Sequence, residues 1–140
     1  MLKAIEVVNR YYDALNRRDW QAHAALIAPD CTFEAPGSEP QRGLEAIRRF
    51  DRIWEVATPD FKILPQRQIE AGSEVASENL FQGTHTGVLH TPGGDVPPTG
   101  RQANQRYVGL FSVREGRIVS QVIYFDQLEM MTQLGLMPPR

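Results

Sequence analysis

The sequence predicts an α+β fold, and three of its features do so. Apolar residues recur at helical spacing up to Pro59, whereas the segments beyond it are long runs rich in Val, Ile, Phe and Tyr. Glu115-Gly116 is a two-residue turn of the Asp-Gly type between the last two runs, as in an antiparallel hairpin. Helices placed first and antiparallel strands second leave the helices on one face of a curved sheet.

The elements follow in chain order. Residues 2–16 put Leu2, Ile5, Val8, Tyr12 and Leu15 three or four apart, which predicts an amphipathic helix. Arg17-Arg18-Asp19 ends it, and Asp19 caps a short second helix carrying Trp20, Leu26 and Ile27 that stops at Pro29-Asp30. Cys31–Ala35 reads as a brief strand closed by Pro36-Gly37. A third helix is expected from Leu44 to Val56, with Leu44, Ile47, Phe50 and Trp54 on one face. Strands are expected over 61–70, 74–88, 101–114 and 117–125. His90–Gly100, with Pro92, Pro97 and Pro98 among glycines, reads as a loop. A short helix from Gln127 to Leu134 precedes Gly135 and Pro138-Pro139.

Composition narrows the function classes. The chain has 140 residues, the size of one domain spanning 1–140, and its 41% hydrophobic content suits a packed core. A net charge of -2 argues against electrostatically driven nucleic-acid binding. Cys31 is the lone cysteine, so neither an internal disulfide nor a multi-cysteine zinc site is expected. No apolar run approaches membrane-spanning length, and Glu6 and Asn9 interrupt the N-terminal stretch where a signal peptide has its apolar core. A cytoplasmic protein without membrane contact is the expectation. Lys3 and Lys62 are the only lysines among 15 basic residues, a bias that an arginine-rich proteome also produces.

Four motifs carry a resemblance: Phe81-Gln-Gly-Thr-His-Thr-Gly87, Val96-Pro-Pro-Thr-Gly-Arg101, Glu115-Gly-Arg-Ile118 and Phe125-Asp-Gln-Leu with Gln133-Leu-Gly135. Together with the order of elements, they make the chain resemble the SnoaL-like polyketide cyclase family of the NTF2-like superfamily. That resemblance implies a cone of three helices against a curved sheet, a homodimer packed through the outer sheet face, and ring closure by aldol chemistry without metal or cofactor. It also implies where an acid/base carboxylate would stand. Aligned on Glu115-Gly-Arg-Ile118, the family's catalytic aspartate falls on Ile123, its histidine and glutamine on Gly109 and Tyr107, and its asparagine on Phe33. The polar positions of that site are therefore apolar, small or aromatic here.

Substitutes for the displaced carboxylate are few. Asp126 lies three residues beyond Ile123, but Asp126-Gln-Leu-Glu129 has capping-box spacing ahead of an apolar run. Capping holds the carboxylate charged, and strand alternation sets Asp126 on the face opposite Ile123, so a helix cap and an acid/base group are both open readings. His85 titrates near neutrality by nature, and Gly83 and Gly87 flank it on the same strand face. The cleared space admits either a ligand or neighbouring side chains. His85, His90 and Asp95 lack a familiar ligand spacing, so no metal is expected. His23, among alanines, reads as a surface or partly buried helix residue. Arg48, Arg49 and Arg52 beside Glu45, Asp51 and Glu55 read as a solvated helix face.

If the positions equivalent to the family's site face inward, alternation gives a cavity list. Gln105, Tyr107, Gly109, Phe111 and Val113 would point in from one strand, and Gln121, Ile123 and Phe125 from the next. Phe81 and His85 would join them, with Phe33 and Trp54 closing the cone. Such a pocket suits a flat, apolar or aromatic small molecule bearing one or two oxygens. One function is then a cofactor-independent cyclase, isomerase or lyase acting by proton transfer, with His85 as acid/base, Tyr107 as donor to an oxyanion and Gln121 orienting. The other is a non-catalytic small-molecule-binding or dimerisation module. An epoxide hydrolase or dehydratase would need an acid pair or an Asp-His pair in the cone, with Asp13, Asp30, Glu34 and Asp51 the nearby acids.

Overall fold

A computed structural model describes residues 2–137 of the chain. Helix α1, Ala4–Arg17, forms where Val7, Val8, Tyr11, Tyr12 and Leu15 make one stripe, and all five are buried. Asn16 near its end locks it to the sheet, donating to the Ile63 carbonyl and accepting from the Ile63 amide at 2.8 Å each. Helix α2, Trp20–Ala25, starts at Asp19, whose carboxylate accepts from the Ala22 amide at 3.1 Å.

The next strand begins earlier than the sequence suggests. Strand β1, Ile27–Glu34, already pairs at Ile27, so Ile27 opens a strand rather than ending α2. Pro29 does not stop it, because the register shifts between Ile27 and Thr32 and leaves the proline where no ladder donor is required. A two-residue strand β2, Gln41–Arg42, and helix α3, Leu44–Ala57, follow.

The long strands are β3 (Lys62–Ala71), β4 (Glu74–Thr84), β7 (Gln102–Arg114) and β8 (Arg117–Tyr124). They join β1 and β2 in a six-stranded sheet ordered β2-β1-β8-β7-β4-β3, antiparallel except for β1 against β8. Pro65 sits on the edge strand β3 at a register shift, and a second shift falls between Ser112 and Val113. Such bulges bend a sheet, and here α1, α2 and α3 pack against it. Glu115 and Gly116 both have positive φ, as a two-residue hairpin turn with the strands' twist requires.

The segment expected as a plain loop holds a small hairpin, β5 (Leu89–Thr91) with β6 (Gly94–Val96). Leu89 is buried, and the Thr86 and Gly87 amides both donate to the Ala57 carbonyl at the end of α3. Helix α4, Gln127–Gln133, closes the described chain; Pro138 and Pro139 lie outside the described residues. Among the described residues, no helix is long and apolar enough to cross a membrane.

Candidate active site

Between the helices and the inner sheet face lies a cavity of about 70 Å3. That volume holds several waters and is well below the roughly 300–1,000 Å3 typical of drug-sized ligands. Strand alternation turns Gln105, Tyr107, Gln121, Ile123 and Phe125 toward it, and Phe33, Trp54 and Phe81 also line it. Phe111 does not reach the cavity. Its buried ring lies behind it, edge-on to Tyr11 and Tyr12 with centroids 5.7 Å away in each case.

The helices add groups that strand alternation could not reveal. Tyr11 and Tyr12 line the cavity from α1, and Phe50 and Asp51 from α3. Asp51 is the only carboxylate among the described lining residues. Its side chain keeps 11% of its surface, and burial pushes its carboxyl up to about 7, opposed by Arg48 and reinforced by Glu55. Asp51 therefore does not stand on a solvated face. It follows Ile47 by four residues and Leu44 by seven, which places it on the apolar stripe of α3. An acid at a stripe position was the available signal.

His23 is wholly buried rather than superficial. It sits three residues from both Trp20 and Leu26, the spacing of an inward face. Its ring packs on Tyr11 at 4.5 Å between centroids and edge-on to Trp20 at 5.6 Å. Nε2 lies 3.7 Å from Asp51 Oδ2, and burial with nearby Arg48 lowers the imidazole to about 4. Arg48 stacks over the Trp20 ring at 3.4 Å, its Nη2 3.7 Å from Glu55. The Asp and His side chains that meet are thus Asp51 and His23, of which only Asp51 lines the cavity. Asp13, Asp30 and Glu34 are exposed.

The hydrogen-bonding groups around the cavity have defined directions. Ser77 donates to Asn79 at 2.7 Å, and Asn79 Nδ2 donates to the Tyr12 hydroxyl at 2.8 Å, so the Tyr12 proton is available as a donor. Gly109 makes room for this, since a Cβ there would stand 2.9 Å from that hydroxyl. Tyr11 donates to Gln121 Oε1 at 3.1 Å. Gln105 Nε2 donates to the Asp126 carbonyl at 2.6 Å, which leaves the buried Gln105 Oε1 without a partner. Burial raises the Tyr11, Tyr12 and Tyr107 phenols, so all three stay protonated.

His85 and Asp126 are not part of this arrangement. The cavity lining excludes both. His85 is buried beside the β5–β6 hairpin, with Nδ1 3.0 Å from Thr99 Oγ1 and accepting from the Thr99 amide at 3.3 Å. Its backbone exchanges hydrogen bonds with Gly100 and Arg101, and burial lowers its imidazole. The space beside it is taken by protein: a Cβ at Gly83 would meet Thr58 at 2.9 Å, and one at Gly87 would collide with the Val56 carbonyl. Asp126 is exposed and caps α4, accepting from the Glu129 amide at 3.0 Å. Glu129 does not complete a capping box but accepts from Gln133. His90 pairs with Asp95 at 2.7 Å on the exposed hairpin, away from His85's partners. Among the described residues, no cluster of three His, Cys, Asp or Glu side chains forms a metal site.

Comparison with known proteins follows the same fold. Residues 5–134 match the SnoaL-like polyketide cyclase family. IdmH of Streptomyces antibioticus, a candidate polyketide cyclase, superposes with a TM-score of 0.82 at 28% identity, covering 96% of this chain and 99% of that one. A candidate SnoaL-like polyketide cyclase from Jannaschia sp. CCS1 gives 0.84 at 21% identity, over 97% of this chain and 93% of that one. An LEH-like epoxide hydrolase of M. tuberculosis gives 0.71 at 22% identity, over 94% and 88%. The last two likenesses concern the fold alone.

Proposed function

This chain belongs to the SnoaL-like polyketide cyclase family, and we propose that it is a cofactor-independent enzyme transferring a proton on a small apolar carbonyl compound, of cyclase, isomerase or lyase type. One observation carries the reading. Asp51, with a carboxyl near neutrality, stands in an aromatic cavity that holds no other carboxylate among its described lining residues. A base in that range is ionised often enough to accept a proton and acidic enough to return it.

Asp51 takes the role first assigned to His85, because it touches the cavity and His85 does not. The Asp51 carboxylate would remove a proton from the carbon beside the substrate carbonyl. The resulting enolate oxygen would accept from phenol donors, Tyr12 with Tyr107 beside it, and Gln121 would orient the substrate. The enolate carbon then attacks a second carbonyl and closes a ring, or is reprotonated elsewhere. Asp51 delivers its proton to the alkoxide or carbon, so charge and protons balance. Gln105 Oε1 offers an acceptor to a substrate hydroxyl. Phe33, Trp54, Phe81, Ile123 and Phe125 supply the apolar walls for a compact aromatic or apolar molecule.

Asp51→Asn tests the assignment, using a substrate found by screening aromatic ketones and polyketide mimics for turnover. A loss of at least about 100-fold with binding retained is expected. Full turnover in the variant overturns it. Binding by the native chain without turnover of any compound would favour a small-molecule-binding module.

The outer sheet face supports a homodimer. Ile69, Ala76, Leu110 and Val122 form one cross-strand row, and Val108 and Tyr124 pair in the next. Ile69 is 61% exposed and Tyr124 59%, so a sizeable apolar face is uncovered in the single chain. Sedimentation should give twice the chain mass, reverting to the monomer in Leu110→Lys; a native monomer would remove the dimer from the proposal.

A further inference from the structure

Six buried side-chain polar atoms among the described residues have no hydrogen-bond partner, and four of them cluster in one place. They are both ring nitrogens of His23, Arg48 Nη1 and Asp51 Oδ2. Native interiors leave few such atoms, so a concentration of them beside a cavity has functional meaning. The other two, His85 Nε2 and Gln105 Oε1, lie on different elements.

The tautomer of His23 follows from its surroundings. A neutral imidazole carries one N–H, and a buried N–H without an acceptor is costly. No described group accepts from Nδ1, whereas Nε2 faces Asp51 Oδ2 at 3.7 Å. A proton on Nε2 is therefore the tautomer that can be satisfied, by a closing movement of about 0.8 Å to ordinary hydrogen-bond length. Tyr11 and Trp20 pack on the ring and fix its position. The Asp51 oxygens are also unequal. Oδ2 is buried and faces His23, whereas Oδ1 is not among the buried unpartnered atoms and belongs to a residue that lines the cavity.

We infer that His23 is a positioning residue for Asp51, its Nε2–H donating to Oδ2 so that the transferable proton is carried on Oδ1, facing the substrate. This rests on Asp51 being the acid/base group. It deepens that reading by dividing labour between the two oxygens. Without the donor, either oxygen can hold the proton, and the ionised form loses a hydrogen bond. The other titratable groups facing Asp51 are Arg48 and Glu55 on α3, Tyr11 and Tyr12 on α1, and Tyr107 on β7. Among the described residues none of these groups hydrogen-bonds to Asp51, and Tyr11 donates instead to Gln121, so none of them takes the place of the His23 donor.

The test reads Asp51 directly and needs no substrate. In the full chain carrying 13C-labelled aspartate, the Asp51 carboxyl resonance is assigned by its loss in Asp51→Asn and titrated. His23→Leu removes the donor and should raise the Asp51 midpoint by about one pH unit or more. His23→Gln presents an amide N–H near the Nε2 position and should hold the midpoint within about half a unit of the native value. His23→Asn is polar but too short to reach Oδ2, so it should behave like His23→Leu. The Asn and Gln variants decide the matter if His23→Leu fails to fold. A midpoint that does not rise in His23→Leu or His23→Asn, or that rises as far in His23→Gln, overturns the inference. Full turnover in Asp51→Asn would instead defeat the proton-transfer reading, leaving the effect of His23 on the midpoint as measured.

Discussion

His23 and His85 are both fully buried histidines, yet their surroundings differ in kind. Around His85, Thr99 accounts for Nδ1 and the backbone is tied on both sides. The glycines next to it are filled by Thr58 and by the end of α3. Around His23, neither nitrogen has a partner, and the neighbours are a carboxyl near neutrality and a half-satisfied arginine. His85 sits in a conspicuous sequence motif and ties the end of β4 to the segment Thr99–Arg101 that leads into β7. His23 sits in an inconspicuous run of alanines and abuts the cavity's acid. Unsatisfied polarity next to a cavity, rather than the prominence of a residue in sequence, marks the group available for chemistry.

The sharpest probe of that contrast is the pH dependence of stability, measured by chemical denaturation between pH 3.5 and 8. Asp51 rises from an ordinary 3.8 to about 7 in the fold. Over that interval the unfolded chain ionises first, so this group makes stability fall as pH rises, by up to about 4 kcal/mol. His23 drops from an ordinary 6.5 to about 4. Across that interval the unfolded chain holds the extra proton, so this group makes stability rise with pH, by up to about 3 kcal/mol. The two slopes oppose each other between about pH 4 and 6.5 and partly cancel in the native chain. Asp51→Asn should unmask the rising slope, and His23→Leu the falling one. Parallel curves for both variants would mean that the pair does not titrate as described.

A smaller effect should come from the other histidine. His85→Leu loses the Thr99 contacts and should cost about 1–3 kcal/mol of stability. It should leave the Asp51 midpoint and turnover within a factor of a few. A loss of 100-fold in turnover with the fold intact would return His85 to the chemistry.

Much of the architecture was legible in the sequence because it is written in local periods. The α1 stripe, the α3 stripe, the two-residue turn at Glu115-Gly116 and the alternation that turns Gln105, Gln121 and Ile123 inward all follow from residue spacing. Ile27 departs from its expected place in α2 because the parallel pairing with β8, which makes it a strand residue, joins segments far apart in the chain. In sequence Asp51 reads as one of several nearby acids on a solvated face, because its neighbours Arg48, Arg49 and Arg52 are charged. Its position on the apolar stripe, four residues after Ile47, carries the better information.

What the sequence determined by itself is the α+β class and the SnoaL-like family, because both are written in local spacing and short motifs. What only the tertiary structure decided is which titratable groups meet. His23 and Asp51 belong to different helices, and each alone is one polar residue on an amphipathic segment. Bringing α2 against α3, which lines the cavity, sets Nε2 3.7 Å from Oδ2 and withdraws both side chains from water. Desolvation and contact are properties of that packing, and local spacing records neither.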